Sequence, residues 1–169
     1  FGSPKCFLKF NSSISFLERL TMVYIDANIP DIVIVLNTET AKKAKELIKP
    51  LKNKTNITTI INEHPEDGRF FSVKLGVNAI NTKNSAFIQN IDNPFTTTAL
   101  LEQMMKRLLV GKYVVPENNN KHGHPVLVSA EILQDIKKAT QPETNLRAIL
   151  EKYPFEQLKT NDSNIHANI

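Results

Sequence analysis

The stretch Ile29-Pro30-Asp31-Ile32-Val33-Ile34-Val35-Leu36-Asn37 decides the fold class. Between Asp31 and Asn37 stand five apolar residues in a row, four of them β-branched. A strand with one wet face alternates polar and apolar residues. An unbroken run instead predicts a strand covered on both faces, as in a parallel sheet with helices above and below.

Helical patterns flank this strand. On its N-terminal side, Ser15 and Glu18 have the spacing of a capping box; Phe16, Leu20, Val23 and Ala27 then recur at helical intervals until Asn28 and Pro30 stop the helix. On its C-terminal side, Thr40 to Ile48 places Ala41, Ala44, Leu47 and Ile48 on one face and lysines on the other. The pattern then predicts a strand over Ile57 to Ile61, a helix over Phe71 to Ile80, a strand over Ala86 to Ile91 and a helix over Thr97 to Leu109 stopped by Gly111. Strands over Tyr113 to Val115 and Val126 to Val128 follow, then a helix over Ser129 to Thr140. Such alternation builds βαβ units, an α/β sheet with helices on both faces. Ligands of these folds sit beyond the carboxyl ends of the strands, which directs attention to the loops beginning near Asn37, Asn62, Asp92 and Pro116. Asn118-Asn119-Asn120 reads as a loop tip.

The 169 residues, 41% hydrophobic and 22% charged, are enough for one compact domain that supports its core without disulfides or a structural metal. Cys6 is the only cysteine, which excludes a disulfide framework and a four-cysteine zinc site and fits a reducing cytosol. No run approaches the roughly 20 apolar residues of a membrane span, and Phe1 to Lys9 lack the layout of a signal peptide, so a cytoplasmic protein without a membrane partner is expected. Lys and Arg number 21 against 17 Asp and Glu, giving +4 and a pI near 9.1. Outside Lys42 to Lys54 the positive residues are dispersed, which suits small anionic ligands and not nucleic acid. The absence of Trp also weighs against a base-stacking platform. The chain starts at Phe1-Gly2-Ser3 and stops at Ala167-Asn168-Ile169 in what resembles the onset of a strand, so further segments of the natural protein are expected beyond both ends.

Four places carry residues with chemical potential. Asp92 closes the Phe87 to Ile91 strand and precedes Asn93-Pro94; a carboxylate on that lip is a hard ligand for Mg²⁺ bridging phosphates, or the cap of an ordinary Asx turn. Gly2-Ser3-Pro4-Lys5 joins a flexible turn to a point charge, as phosphate sites do and as exposed turns also do. Asn62 opens a loop running to Gly68-Arg69-Phe70-Phe71-Ser72, where a helix N-terminus could receive an anion or a base edge, or where Gly68 simply starts a helix above core phenylalanines. In His122-Gly123-His124-Pro125, His124 reads as a hydrogen-bonding residue in a tight turn in preference to half of a metal pair, since no acidic residue or Cys lies close by. His64 and His166 read as surface histidines, and Cys6 as a packing residue. No Gly-x-Ser-x-Gly elbow, Walker loop or Gly-x-Gly-x-x-Gly fingerprint is present.

Taken in order, these pieces resemble the MobA-like nucleotidyltransferases, and most of all their molybdenum cofactor cytidylyltransferase branch. Gly2-Ser3-Pro4-Lys5 is similar to that family's Gly-x-x-Lys. Phe16-Leu17-Glu18-Arg19 and Ile29 to Leu36 resemble its next helix and strand, and Gly68 to Gly76 its Gly-Met-x-x-Ser-Leu stretch. Ile91-Asp92-Asn93-Pro94 resembles its Asp-x-Pro metal motif, Gly123-His124-Pro125-Val126-Leu127 its Gly-His-Pro motif, and Asn145-Leu146-Arg147 a further segment. The resemblance covers nearly the whole chain. It departs at Asn168, which stands where the closing motif has its first Asp, and at Gly68 to Ser72, where the family has smaller residues.

The resemblance implies a three-layer α/β/α, Rossmann-like nucleotidyltransferase domain over 1–169 with a mainly parallel mixed sheet. Its first strand and phosphate loop would precede residue 1 and its final segment would follow residue 169. It implies nucleotidyl transfer: an acceptor phosphate attacks the α-phosphorus of a nucleoside triphosphate, CTP in this branch, and pyrophosphate leaves. Lys5 and Asp92 would be catalytic, and Asp92 with Asn168 would hold the Mg²⁺ cofactor. Gly2, Ser3, Lys5, Asn62, Gly68 and Ser72 would surround the nucleotide, while His124, Asn145 and Arg147 would face a phosphorylated small-molecule acceptor, molybdopterin in this branch. A sugar phosphate or a phosphorylated small alcohol is the rival acceptor, and a non-catalytic nucleotide-binding module is the rival class. A monomer or weak homodimer is expected.

Overall fold

The structure, a computed structural model, describes residues 3–140 and 145–169. After a single 3₁₀ turn at Lys5–Phe7, helix α1 (Phe16–Asp26) begins with the expected capping box: the Ser15 hydroxyl accepts from the Glu18 amide, and the Glu18 carboxylate accepts from the Ser15 amide at 2.9 Å. Asn28, in the left-handed region at φ 57°, ends it. Strand β1 (Asp31–Asn37) leads into α2 (Thr38–Ile48), capped by the Asn37 side chain, and β2 (Asn56–Asn62) returns parallel to β1. The register pairs Asp31 with Asn56 and Asn37 with Asn62, so both strands end on an asparagine at the same lip. Helix α3 (Gly68–Asn78) follows.

The second half holds β3 (Ala86–Ile88), α4 (Thr98–Arg107), β4 (Tyr113–Asn118), β5 (Lys121–His122), β6 (Val126–Val128), α5 (Ala130–Lys138), α6 (Leu146–Leu150) and β7 (Phe155–Lys159). Asn119 and Asn120, at φ 52° and 60°, form the two-residue turn between β4 and β5. Strand order is β3-β6-β4, with β5 and β7 also on β4. The expected mainly parallel mixed sheet is not shown. Only the β1–β2 and β4–β7 ladders are parallel; β3–β6, β4–β6 and β4–β5 are antiparallel, and the strands form two sheets. The cause is local: the two-residue Asn119-Asn120 turn leaves no room for a crossover helix, so the chain can only return antiparallel beside β4, first as β5 and then, in the same direction past Gly123 to Pro125, as β6.

Shared helices nevertheless join the two sheets in one layer. On one face Ile32 of β1 and Phe87 of β3 pack on the same cluster as Val23, Tyr24 and Ala27 of the α1 segment and Leu101 of α4. On that face too, Leu36 packs with Ala44 and Ile48 of α2. On the opposite face Val73 and Val77 of α3 join Ile132, Leu133 and Ile136 of α5 over β4 and β6, while Gly76 of α3 lies against Val35. Three layers, α/β/α, result. Successive residues of β1 face opposite layers, which is why its sequence is apolar without alternation. Between β1 and β3 runs a groove of about 520 Å³, floored by apolar residues such as Leu20, Ile32 and Ile34 and opening past Asn37, Asn62 and Arg69.

Candidate active site

Asp92 sits just past β3, in a turn closed by the Asn93 amide donating to the Asn90 carbonyl at 3.3 Å. Its side chain is buried apart from one edge, and that edge faces two cations: Lys5 Nζ at 3.5 Å and Arg69 Nη2 at 3.8 Å, both from Oδ2. Lys5 is held there by its neighbour. Cys6 is buried with Leu17, Leu36 and Ala44, which pins the 3₁₀ turn and leaves the lysine head half-exposed. Burial pushes the Cys6 thiol up, so it packs and does not serve as a thiolate.

Arg69 comes from the first turn of α3. Gly68, which opens that helix, has φ 83° and open space where a Cβ would be, so the helix start is bare towards the groove. Beneath it lies Asn62, almost wholly buried at the end of β2. Its Nδ2 donates to Ser72 Oγ at 2.9 Å and its Oδ1 accepts from the His64 amide at 2.8 Å. This bond joins Asn62 to Ser72 and holds the loop from His64 to Arg69 over the groove mouth.

On the other side, His124 lies within hydrogen-bond reach of Asn90, Nε2 to Nδ2 at 3.1 Å. With the amide donating, the imidazole is neutral and carries its proton on Nδ1, which is buried with no partner among the described residues. Burial, reinforced by Arg69 and opposed by Asp92, lowers the His124 pKa below the usual imidazole value. The 163–169 segment closes this side: the Ile169 amide donates to the Asp92 carbonyl at 3.1 Å and the His124 amide to the Ile165 carbonyl at 3.0 Å.

Lys5, Asn62, Gly68, Arg69, Ser72, Asp92 and His124 therefore share one lip, and Asn168 is brought to it as the neighbour of Ile169. Ser3 precedes Pro4 at the groove mouth and is exposed; Gly2 lies outside the described residues. Asn145 and Arg147 have only local partners: Asn145 caps α6 by accepting from the Ala148 amide, and Arg147 pairs with Glu151 at 2.9 Å on the surface. His122 contacts Gln157 and Phe155 instead of His124. Sequence reasoning missed Asn90 and Asn93. A polar residue inside an Asp-x-Pro turn was the available signal, but its partners lie far along the chain.

Among the described residues no three His, Cys, Asp or Glu side chains come close enough to form a metal cluster. The donor seen at the lip is a hard oxygen, the Asp92 carboxylate. That fits Mg²⁺, which takes one or two protein oxygens and fills its octahedron with phosphates and water.

Comparison with known proteins bears on the fold. Among solved structures, 4-diphosphocytidyl-2C-methyl-D-erythritol synthase from Anaerococcus prevotii superposes with a TM-score of 0.73 at 12% identity, covering 92% of this chain and 84% of that one. Rv0371c from Mycobacterium tuberculosis, solved in complex with manganese, gives 0.74 at 14%, covering 94% and 83%. HddC from Yersinia pseudotuberculosis, complexed with GMP-PN, gives 0.71 at 15%, covering 94% and 82%. At these identities the likeness establishes the nucleotidyltransferase fold. No curated protein sequence matches significantly. The description of the MobA-like NTP transferase domain matches residues 1–158, nearly the whole chain, and the chain belongs to that family.

Proposed function

We propose that this chain is a Mg²⁺-dependent nucleotidyltransferase that moves CMP from CTP to a phosphorylated acceptor, molybdopterin carrying molybdenum, and releases pyrophosphate. An acceptor phosphate oxygen forms a bond to the α-phosphorus as the bond to the bridging β-phosphate oxygen breaks. The observation that carries this reading is the Lys5–Asp92–Arg69 cluster: a carboxylate for the metal and two cations for phosphate oxygens, on one lip of the groove. Little covalent chemistry falls to the protein, so alignment and charge neutralisation are its contribution.

In this reading Asp92, with Asn168, would hold Mg²⁺, which would supply neutralisation of the charge developing on the phosphates. Ser3, Lys5 and the Gly2 amide hold the triphosphate; Asn62, Gly68 and Ser72 lie by base and ribose. His124 is on the acceptor side, with Asn145 and Arg147 reaching a larger acceptor from α6. The same reading places a further strand in the groove between β1 and β3, whose facing edges carry no ladder among the described residues. Cytidine is supported by the branch resemblance and by likeness to a diphosphocytidyl synthase.

The test is pyrophosphate release with CTP, GTP, ATP or UTP and Mg²⁺, offered molybdopterin, a sugar phosphate or a phosphorylated small alcohol. CTP-dependent release with molybdopterin is expected. Release with another pair corrects the substrates, and nucleotide binding without release for any pair overturns the enzyme in favour of a binding module.

A further inference from the structure

We propose that Asn93 is a positioning residue, a clasp whose side chain ties the Asp92 turn to the 163–169 segment and thereby sets Asn168 beside Asp92. The metal half of this inference rests on the reading above; the clasp itself does not. Asn93 is 1% exposed, and all its side-chain polar atoms are used. Oδ1 accepts from the Phe95 amide at 3.3 Å, and Nδ2 donates to two carbonyls at once, Asn164 at 3.1 Å and Ile165 at 3.0 Å. The bond set fixes the orientation of the amide, because a flipped group would put its oxygen against two carbonyl oxygens.

The backbone around it repeats the connection. The Ile165 carbonyl that accepts from Asn93 also accepts from the His124 amide, so one oxygen joins the Asp92 turn, the Gly123-His124 turn and the C-terminal segment. A fourth link is the Ile169 amide on the Asp92 carbonyl. The fit at the far side is tight: a Cβ on Gly123 would stand 2.5 Å from the Ile165 carbonyl oxygen and 2.7 Å from its Cβ. No other residue lets the two backbones approach this closely. Asp92 and Asn168 belong to segments with no shared strand or helix; His166 Nε2, 3.2 Å from the Asn118 carbonyl, ties the 163–169 segment to β4, and the clasp ties it to the Asp92 turn.

Two variants open the clasp from opposite sides. Asn93→Asp keeps the shape but turns the double donor into an oxygen facing two carbonyls. Gly123→Ala pushes Ile165 away without touching Asn93. Amide hydrogen exchange is read in 163–169, with 132–136 in α5 as the fold control, and Mn²⁺ affinity by water-proton relaxation. Both variants are expected to speed exchange in 163–169 by about tenfold or more, leave 132–136 at parent rates, and weaken Mn²⁺ binding severalfold. If one variant fails the fold control, the other decides. Unchanged exchange in 163–169 overturns the clasp. Faster exchange with Mn²⁺ affinity within about twofold of the parent keeps the clasp but overturns its positioning of Asn168. A parent chain that binds no Mn²⁺ sinks the metal reading of the lip, and exchange still judges the clasp.

Discussion

Lys5 Nζ stands 3.5 Å from Asp92 Oδ2, joining a 3₁₀ turn near the start of the described chain to the turn after β3. Arg69 approaches the same oxygen from α3. Both cations are at least half exposed, so neither pair contributes more than about 0–1 kcal/mol to folding. A nearly buried carboxylate serving two weak ion pairs is poorly explained as a stabilising device. It is well suited to an incoming cation.

Asp92→Asn tests that role with the shape preserved. Metal-dependent turnover should fall on the order of 100- to 1,000-fold, the usual cost of removing one aligned charge-stabilising group. The thermal midpoint should move by only a few degrees, given the weak pairs lost. Turnover within tenfold of the parent would remove Asp92 from the metal site.

Removing the cations separately should distinguish phosphate binding from structure. Lys5→Ala and Arg69→Ala each delete a half-exposed charge at the groove mouth, so nucleotide affinity should fall about tenfold in each. The loss should shrink as salt rises, because the parent's advantage is itself screened. Titration of nucleotide at two ionic strengths reads both effects, and a loss independent of salt would indicate a structural cause.

The capping box of α1 supplies a stability prediction independent of function. Ser15→Ala removes the acceptor for the Glu18 amide and should cost about 1 kcal/mol, within the range of roughly 0.5–2. Denaturant unfolding should report a lower midpoint with an unchanged slope. The Lys5 turn should remain in place, since it is anchored through Cys6.

Where a local rule dominates, the sequence was readable. The Ser15 cap, the five-residue apolar run of β1 and the Asn118 to Asn120 tip follow from short-range chemistry, and each matches within a residue or two. The short elements were not legible: β5, α6 and β7 span 2, 5 and 5 residues, too few for a period to register. Phe155 to Lys159 also buries only Leu158, leaves residues as different as Phe155, Gln157 and Lys159 exposed, and joins the sheet through long-range pairing with β4. The expected mainly parallel mixed sheet is not shown for a related reason: strand direction depends on connection length, and the two-residue Asn119-Asn120 turn sends β5 and then β6 back antiparallel to β4. At the site, residues standing alone on strand ends were identifiable from the sequence. The Asn93 contacts, made to backbone carbonyls of a remote segment, leave no trace in composition or spacing.

His124 supplies the pH prediction. Its folded pKa lies below the ordinary value of 6.5, chiefly through burial and then through Arg69, with Asp92 opposing. Below pH 6.5 the unfolded chain therefore binds more protons at this position than the folded one. Stability rises with pH in that window. The contribution is fully present above pH 6.5, declines as pH falls from there towards the folded pKa, and levels off below it. His124→Gln, which keeps a hydrogen-bonding group beside Asn90 but cannot titrate, should remove this part of the slope. Thermal midpoints of both proteins, measured in chelator-treated buffer between pH 7.5 and 5 so that no metal alters the local charge, give the comparison. The parent should lose ground to the variant as pH drops below about 6.5. Parallel curves would show that His124 titrates alike in both states, and its imidazole would then be open to solvent instead of enclosed between Asn90 and the 163–169 segment.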